Sequence, residues 1–131
     1  MIALDTNVLV RFLIEDDAQQ AAAARALLEA ARNRETPCFV SDVVMCETVW
    51  VLSRSYRLPR DEIVAVLRRL LSARPLVFDS RPRLSAALAR FEIGRGDFAD
   101  YLIREDAGSR GCEAVFTFDS ELLRETGFSR P

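Results

Sequence analysis

The residues best suited to chemistry in this sequence are acidic. Five of them follow apolar segments or lie in helical ones: Asp5, Glu47, Asp97, Asp100 and Asp119. Carboxylates accept protons and hold hard divalent cations. The chain has no histidine, and all 18 of its basic residues are arginine. Hydrolysis would therefore depend on carboxylates or a metal, because histidine bases and lysine nucleophiles are excluded.

Each acid also has a structural interpretation, which the sequence leaves open. Asp5, Asp97 and Asp119 each precede a helical segment and could simply cap it. Asp100 could pair with an arginine one helical turn later, and Glu47 could form a salt bridge with another. The catalytic interpretation gains support only if the fold brings these acids together.

The elements that would position the acids alternate along the chain. Short apolar segments predict strands at Ile2–Leu4, Pro37–Val40, Leu76–Phe78 and Ala114–Thr117. Helices are predicted from the first strand to about Ile14, then at Asp17–Arg32, Asp42–Ser55 with Ser41 as its N-cap, Pro59–Ala73, Pro82–Ile93, Asp97–Ala107 and Ser120–Glu125, with a turn at Gly94–Gly96. This order predicts an α/β/α sandwich around a short parallel sheet, with one core and one domain over residues 1–131.

Such a sheet would gather acids at one edge. Sites form beyond the carboxyl ends of parallel strands, and Asp5 and Asp119 follow the first and last predicted strands. Glu47 lies in the third helix, which is apolar nearly all round, so its side chain is expected to face the protein. Clustered carboxylates repel one another without a cation, and oxygen ligands favour Mg²⁺ or Mn²⁺ over Zn²⁺.

Composition limits the partners and the compartment. A net charge of -2 argues against electrostatic coating of DNA or membranes. No apolar segment approaches the roughly 18 residues that span a bilayer, and no signal peptide is recognisable, so a soluble cytoplasmic protein is expected. The three cysteines lack the spacing of a disulfide framework or zinc site and are expected to be buried thiols.

Four segments that carry these acids resemble the PIN-domain family, and within it the VapC-type toxins of bacterial toxin-antitoxin pairs. They are Ile2–Leu9, Cys46–Leu52, Gly96–Ile103 and Phe116–Asp119, and together they span almost the whole chain. The resemblance implies a ribonuclease that depends on Mg²⁺ or Mn²⁺, forms a homodimer and is inhibited by a cognate antitoxin.

The resemblance also implies roles for single residues. Asp5, Glu47, Asp100 and Asp119 would form an acidic quartet, with Asp97 as an accessory acid and Asn7 and Thr117 as polar supports. Two features depart from the family. The segment Arg104–Asp106 is charged where small apolar residues are usual, and the chain ends at Gly127–Pro131 without the last edge strand of many relatives.

The reaction that fits this site is metal-assisted hydrolysis of a phosphodiester. Asp5, Asp100 and Asp119 would hold the cation, with Glu47 beside it directly or through water, and a carboxylate would take the proton of the attacking water. Products with 5′-phosphate and 3′-hydroxyl ends are expected. Arg11 is a candidate phosphate contact, with a solvated or ion-paired arginine as the alternative.

Other classes are less compatible with the residues. Phosphohydrolases of the haloacid-dehalogenase type need a second Asp where Asn7 stands, and they and phospho-acceptor receivers need a lysine that the chain lacks. Two alternatives stay open: a PIN-domain RNA-processing nuclease without an antitoxin, and a non-catalytic acidic binding module.

Two protein partners are expected. The predicted fourth helix has an apolar face that, with Tyr56 and Leu58, could pair with a second copy; it comprises Ile63, Val64, Val66, Leu67, Leu70 and Leu71. A separately encoded antitoxin is expected to lay a disordered tail along the second and third helices. Its arginine would enter near Asp5, Asp100 and Asp119, because a guanidinium binds carboxylates bidentately.

Overall fold

The computed structural model describes residues 1–131 and shows two compact units, Met1–Asp79 and Ser80–Pro131. The first unit contains β1 (Ile2–Ala3), α1 (Thr6–Leu13), α2 (Ala18–Asn33), β2 (Cys38–Val40), α3 (Asp42–Arg54), α4 (Arg60–Ser72) and β3 (Leu76–Phe78). The second contains α5 (Arg81–Ile93), α6 (Phe98–Ser109), β4 (Val115–Phe116), a 3₁₀ turn (Leu122–Arg124) and β5 (Phe128–Ser129). The predicted α/β class and the first six helices are confirmed, whereas the predicted helix Ser120–Glu125 is only a 3₁₀ turn, Leu122–Arg124.

The first unit is built on a parallel sheet in the order β1-β2-β3. Ile2 pairs with Cys38, which in turn pairs with Leu76, so the three strands run in register. Cys38 and Val40 are fully buried under the helices. Parallel strands need helical crossovers, and α1 to α4 provide them. The predicted short parallel sheet is thus confirmed, with its strands ending at the start of α1 and α3.

The predicted last strand pairs differently from expectation. β4 hydrogen-bonds in parallel to β5, with Val115 opposite Phe128 and Phe116 opposite Ser129, so the strands form two sheets rather than one. The expectation that the chain ends without a final strand is wrong. Gly127 adopts φ +95°, a conformation that favours glycine, and this turn directs Phe128 into the core. Phe128 is the one apolar residue in Gly127–Pro131, so this segment lacks the apolar run that predicted the other strands.

Side-chain caps set several helix starts, and two of them, Asp5 and Ser41, are predicted from the sequence. The Asp5 carboxylate accepts the Thr6 N–H at 2.8 Å, and the Ser41 hydroxyl accepts the Val44 N–H at 3.2 Å. Asp17 caps α2 and Ser80 caps α5 in the same way. Each cap satisfies an N–H group that the first helical turn leaves without a partner.

Most of the apolar face of α4 is core. Five of its apolar side chains are at most 9% exposed: Ile63, Val64, Leu67, Leu70 and Leu71. Helix α4 packs against α3 and β3, and these contacts cover the face. Most of this face is therefore core rather than a free surface, while Val66, Tyr56 and Leu58 are half-buried.

The charged segment Arg104–Asp106 ties parts of the second unit together. Arg104 Nε donates to the Thr126 carbonyl oxygen at 2.7 Å, and Glu105 accepts from Arg90 of α5 at 3.1 Å. Asp106 lies 3.6 Å from Arg83, also in α5. These charges are half-buried and paired, so the departure from small apolar residues has a structural role in joining α6 to its neighbours.

Two further expectations concern cysteines and membranes. All three cysteines are free, with Cys38 buried, Cys46 half-buried and Cys112 exposed. The expectation of buried thiols is thus wrong for Cys112, which follows the end of α6 in a turn. None of the helices combines the length and apolar character needed to cross a bilayer.

Candidate active site

In the first unit, four predicted site residues line one cleft, among them the acids Asp5 and Glu47. Its volume is about 330 Å³, and its walls come from α1 and α3 with the residues next to them: Asp5, Thr6, Asn7, Val10, Arg11, Glu47, Val51, Ser55 and Tyr56. Asp5 reaches it as the residue between β1 and α1. Glu47 reaches it because α1 packs against α3. The fold therefore brings Asp5 and Glu47 to a common surface across 42 positions of sequence.

Glu47 is held by a residue to which the sequence analysis assigned no role. The Thr6 hydroxyl donates a hydrogen bond to Glu47 Oε2, and the Thr6 N–H binds Asp5. Thr6 is buried, whereas Glu47 is exposed. The expectation that Glu47 faces the interior is therefore wrong. Apolar neighbours on its helix face are exposed too, with Val43 at 74% and Trp50 at 60%.

Glu47→Gln should consequently change stability little. A glutamine side-chain carbonyl still accepts from Thr6, and exposed substitutions usually change the free energy of unfolding by less than about 0.5 kcal/mol. RNA cleavage, the activity that the family resemblance implies, should fall by about 100-fold or more, because a glutamine cannot accept the proton of the attacking water. Thermal unfolding and cleavage rates measured side by side test this. A large loss of stability would assign Glu47 a structural role instead.

Asn7 and Arg11 also line this cleft, with different contacts. The Asn7 side chain is exposed and makes no hydrogen bond to Asp5 or Glu47. The Arg11 guanidinium is engaged, donating to Asp16 and Gln20 at 2.6 Å each and to Tyr56 at 3.1 Å. The ion-paired alternative thus has direct support, and a phosphate contact would require Arg11 to leave these partners.

Asp16, Arg11 and Tyr56 form a network of hydrogen bonds beside the cleft. Tyr56 Oη donates to Asp16 Oδ2 at 2.7 Å, and with the Arg11 guanidinium it holds the pKa of Asp16 below its usual range. The same hydrogen bond raises the pKa of Tyr56. The network therefore fixes the side chains at the mouth of the cleft.

In the second unit, Asp97 and Asp100 stand at the start of α6. Asp97 is the N-cap residue, as its structural interpretation predicts, and its N–H donates to Asp100 Oδ2 at 2.8 Å. Asp97 is exposed and Asp100 half-buried. Asp100 therefore does not depend on Arg104 for a partner, because Arg104 is bound to Thr126 and Glu105.

Asp119 follows β4 and organises the turn after it. Its Oδ1 accepts the N–H groups of Glu121 at 2.8 Å and Leu122 at 3.3 Å, while its own N–H donates to Thr117 Oγ1 at 3.0 Å. The capping interpretation of Asp119 is therefore correct. It does not exclude metal binding, since one oxygen of the carboxylate has no partner in these hydrogen bonds. Thr117 holds the backbone at Asp119 through this hydrogen bond, and its role as a polar support of the site stays a prediction.

The acids of the second unit affect one another electrostatically. Burial raises the pKa of Asp100, and the carboxylates of Asp97, Asp119 and Glu125 raise it further, against the lowering effect of the hydrogen bond from Asp97. Glu125 was not among the predicted site residues. Its position in a charged segment near the C-terminus, Glu121–Glu125, gave no signal that distinguishes it from a surface acid.

The donor chemistry fits a hard divalent cation. The groups are carboxylates, and the repulsion that raises the pKa of Asp100 is of the kind a cation relieves. Neither unit by itself contains three acidic or cysteine side chains that lie close enough together to hold one metal ion. Asp5 and Glu47 lie in the first unit, and Asp97, Asp100 and Asp119 lie in the second.

Comparison of the chain with known protein families agrees with the order of its four motifs. The family model for the PIN domain matches residues 2–128. The chain belongs to the PIN-domain family. This PIN domain is also 25% identical over 128 residues to a protein of Aquifex aeolicus (strain VF5) named VapC ribonuclease, an alignment that covers 98% of this chain and 93% of the relative.

Proposed function

We propose that this PIN domain is a ribonuclease that hydrolyses RNA with the help of Mg²⁺ or Mn²⁺. The observation that carries the proposal is the match of the family model across both units, which includes every predicted acid. The name of the Aquifex relative, VapC ribonuclease, supports RNA as the substrate. The four acids Asp5, Glu47, Asp100 and Asp119 are proposed to act in one reaction, and residues 1–131 to be one nuclease domain.

The side chains would divide the work by their contacts. Asp5, Asp100 and Asp119 are the proposed ligands, with Asp97 an accessory acid reaching the ion through water. Glu47, oriented by Thr6, would accept a proton from the attacking water. A bound Mg²⁺ or Mn²⁺ would lower the pKa of that water and stabilise the negative charge on the phosphate.

RNA cleavage by the purified chain tests this function. Incubation of a single-stranded RNA with Mg²⁺ or Mn²⁺ should give products with 5′-phosphate and 3′-hydroxyl ends, and EDTA should abolish them. A matched single-stranded DNA oligonucleotide tests the substrate class. Cleavage that continues in EDTA would contradict the metal-dependent reaction, and absence of any cleavage would favour the non-catalytic binding module.

An antitoxin partner is proposed for the same site. A shallow groove of about 320 Å³ lies between α1 and α2, rather than along the second and third helices, and is lined by Asn7, Val8, Arg11, Gln20, Ala23, Ala24 and Leu27. It shares Asn7 and Arg11 with the cleft of Asp5 and Glu47. An amphipathic tail seated in this groove would therefore end beside the acids, where its arginine would compete with the cation.

The product of the adjacent upstream gene is the expected antitoxin. It should co-purify with this chain and inhibit cleavage, and replacing one arginine in its tail with glutamine should relieve the inhibition. Leu27→Glu in the groove should weaken binding by about 10-fold or more without lowering the cleavage rate of the free enzyme. Binding that leaves cleavage intact would contradict the toxin assignment while leaving the nuclease assignment in place.

Homodimerisation stays a prediction, but on another surface. The face of α4 first assigned to it is mostly buried, whereas Ile93 is 87% exposed and Ile103 54% exposed in the second unit. These side chains are available for a second copy. Light scattering at micromolar concentration should give twice the monomer mass of 14.8 kDa, and Ile103→Arg should reduce it. A wild-type monomer would contradict the dimer.

A further inference from the structure

Tyr101 has a buried hydroxyl group that lies between the two segments carrying the acids of the second unit. It follows Asp100 directly on α6 and is 0% exposed. Its Oη accepts the Gly96 N–H at 2.8 Å and donates to Glu125 Oε2 at 2.7 Å. The phenol thus uses both its acceptor and its donor capacity, and neither partner lies in its own helix.

The loop before α6 is shaped around this hydroxyl. A Cβ on Gly94 would overlap Tyr101 Oη and lie 2.7 Å from Glu125 Oε1. A Cβ on Gly96 would lie 2.6 Å from the Leu122 side chain and 3.1 Å from Tyr101 Oη. The two glycines therefore allow the loop to approach the tyrosine and the 3₁₀ turn closely, which any side chain would prevent.

The hydroxyl joins the two segments that carry Asp100 and Asp119. Gly96 precedes Asp97 and the start of α6, where the Asp97 N–H binds Asp100. Glu125 ends the 3₁₀ turn whose first N–H groups are held by Asp119. A short path of hydrogen bonds, through Tyr101, therefore connects the backbone at one acid with the backbone at the other.

The hydrogen bonds of Tyr101 counteract the repulsion between the acids of the second unit. Asp97, Asp100, Asp119 and Glu125 are near enough to influence one another, and like charges favour separation of the segments. Preorganised ligands bind a cation more tightly because the cost of bringing them together is met during folding. Buried Leu122, packed against Gly96, resists the same separation.

We propose that Tyr101, acting through its hydrogen bonds to Glu125 and Gly96, is a positioning residue that sets the separation of Asp100 and Asp119 for cation binding. This inference rests on the proposed function. Tyr101 and Glu125 contribute geometry, whereas the carboxylates of Asp100 and Asp119 contribute the ligands.

Mn²⁺ binding to the full chain, measured by electron paramagnetic resonance of the free ion, gives a readout that does not need RNA. Tyr101→Phe keeps the ring and removes the hydroxyl, and it should weaken the Mn²⁺ Kd by about 10-fold to 100-fold. In RNA cleavage at subsaturating Mn²⁺, the rate should fall and be largely restored by more Mn²⁺, while KM for RNA stays near the wild-type value. An unchanged Kd in folded Tyr101→Phe would overturn the proposal.

Glu125 separates geometry from charge. Glu125→Gln keeps an acceptor for the tyrosine hydroxyl and should stay within about 3-fold of the wild-type Kd, whereas Glu125→Leu removes the acceptor and should match Tyr101→Phe. If Gln and Leu weaken binding equally, the charge of Glu125 matters and the positioning role is overturned. These variants also carry the test if Tyr101→Phe does not fold.

Leu88→Val serves as the stability control. Leu88 is buried in α5, and its apolar side chain cannot take part in these hydrogen bonds, so the substitution should lower Tm without changing the Kd for Mn²⁺. A Kd that weakens with Tm in this variant as it does in Tyr101→Phe would overturn the proposal. Failure of the proposed function appears separately, in a wild-type chain that binds Mn²⁺ but leaves RNA intact.

Discussion

Asp5→Asn should abolish RNA cleavage and leave the fold unchanged. Asparagine caps a helix as well as aspartate, so the hydrogen bond to the Thr6 N–H is kept. The substitution removes a charge proposed to bind the cation. Loss of several kcal/mol of charge stabilisation corresponds to a fall of at least about 100-fold in kcat/KM.

The matched control for this prediction is Asp5→Ala. It removes both the charge and the cap, so it should lower cleavage to the same extent and also cost about 1 kcal/mol of stability. Circular dichroism melts and cleavage assays on the same preparations distinguish the two losses. Wild-type cleavage by Asp5→Asn would show that Asp5 acts only as the N-cap of α1.

Asp100→Asn should have opposite effects on stability and cleavage. Burial and the nearby carboxylates raise the pKa of Asp100, so its charged form is disfavoured in the folded chain. Stability from this group is present at low pH and is lost as the pH rises through the raised pKa. In EDTA at a pH of about 7, Asp100→Asn should therefore have a higher Tm than the wild type. The variant should not cleave RNA.

Mn²⁺ and pH supply the checks on this prediction. A cation that binds only the folded chain should raise the wild-type Tm and leave the Tm of Asp100→Asn nearly unchanged. The stability difference in EDTA should shrink towards pH about 3, where carboxyl groups are protonated in both states. A variant that is less stable than the wild type at neutral pH would mean that the hydrogen bond with the Asp97 N–H outweighs the repulsion.

Local rules predicted the elements well because each carries its own signals. The predicted caps Asp5 and Ser41 appear in the structure, and Asp17 and Ser80 are two further caps that were not predicted. Apolar segments of three or four residues between helices predicted β1 to β4. The final strand was missed because the contacts of Phe128 with β4, rather than local periodicity, define it.

The side-chain environments were harder to predict. The apolar pattern of α3 predicted a buried Glu47, which is exposed, and that of α4 predicted a spare surface, most of which is buried. An apolar side chain shows that burial is favourable but does not say which face finds a neighbour. Here α4 is the more deeply buried helix, and α3 leaves Val43 and Trp50 exposed.

By itself the sequence determined the chemistry available to this protein: carboxylates and arginines with no histidine or lysine, held in four motifs of a PIN domain. It also determined the helices and most strands, since caps and periodicity act over a few residues. Only the tertiary structure decided which side chains hold the acids. Thr6 meets Glu47 across 41 positions and Tyr101 meets Glu125 across 24, because such contacts depend on how helices pack.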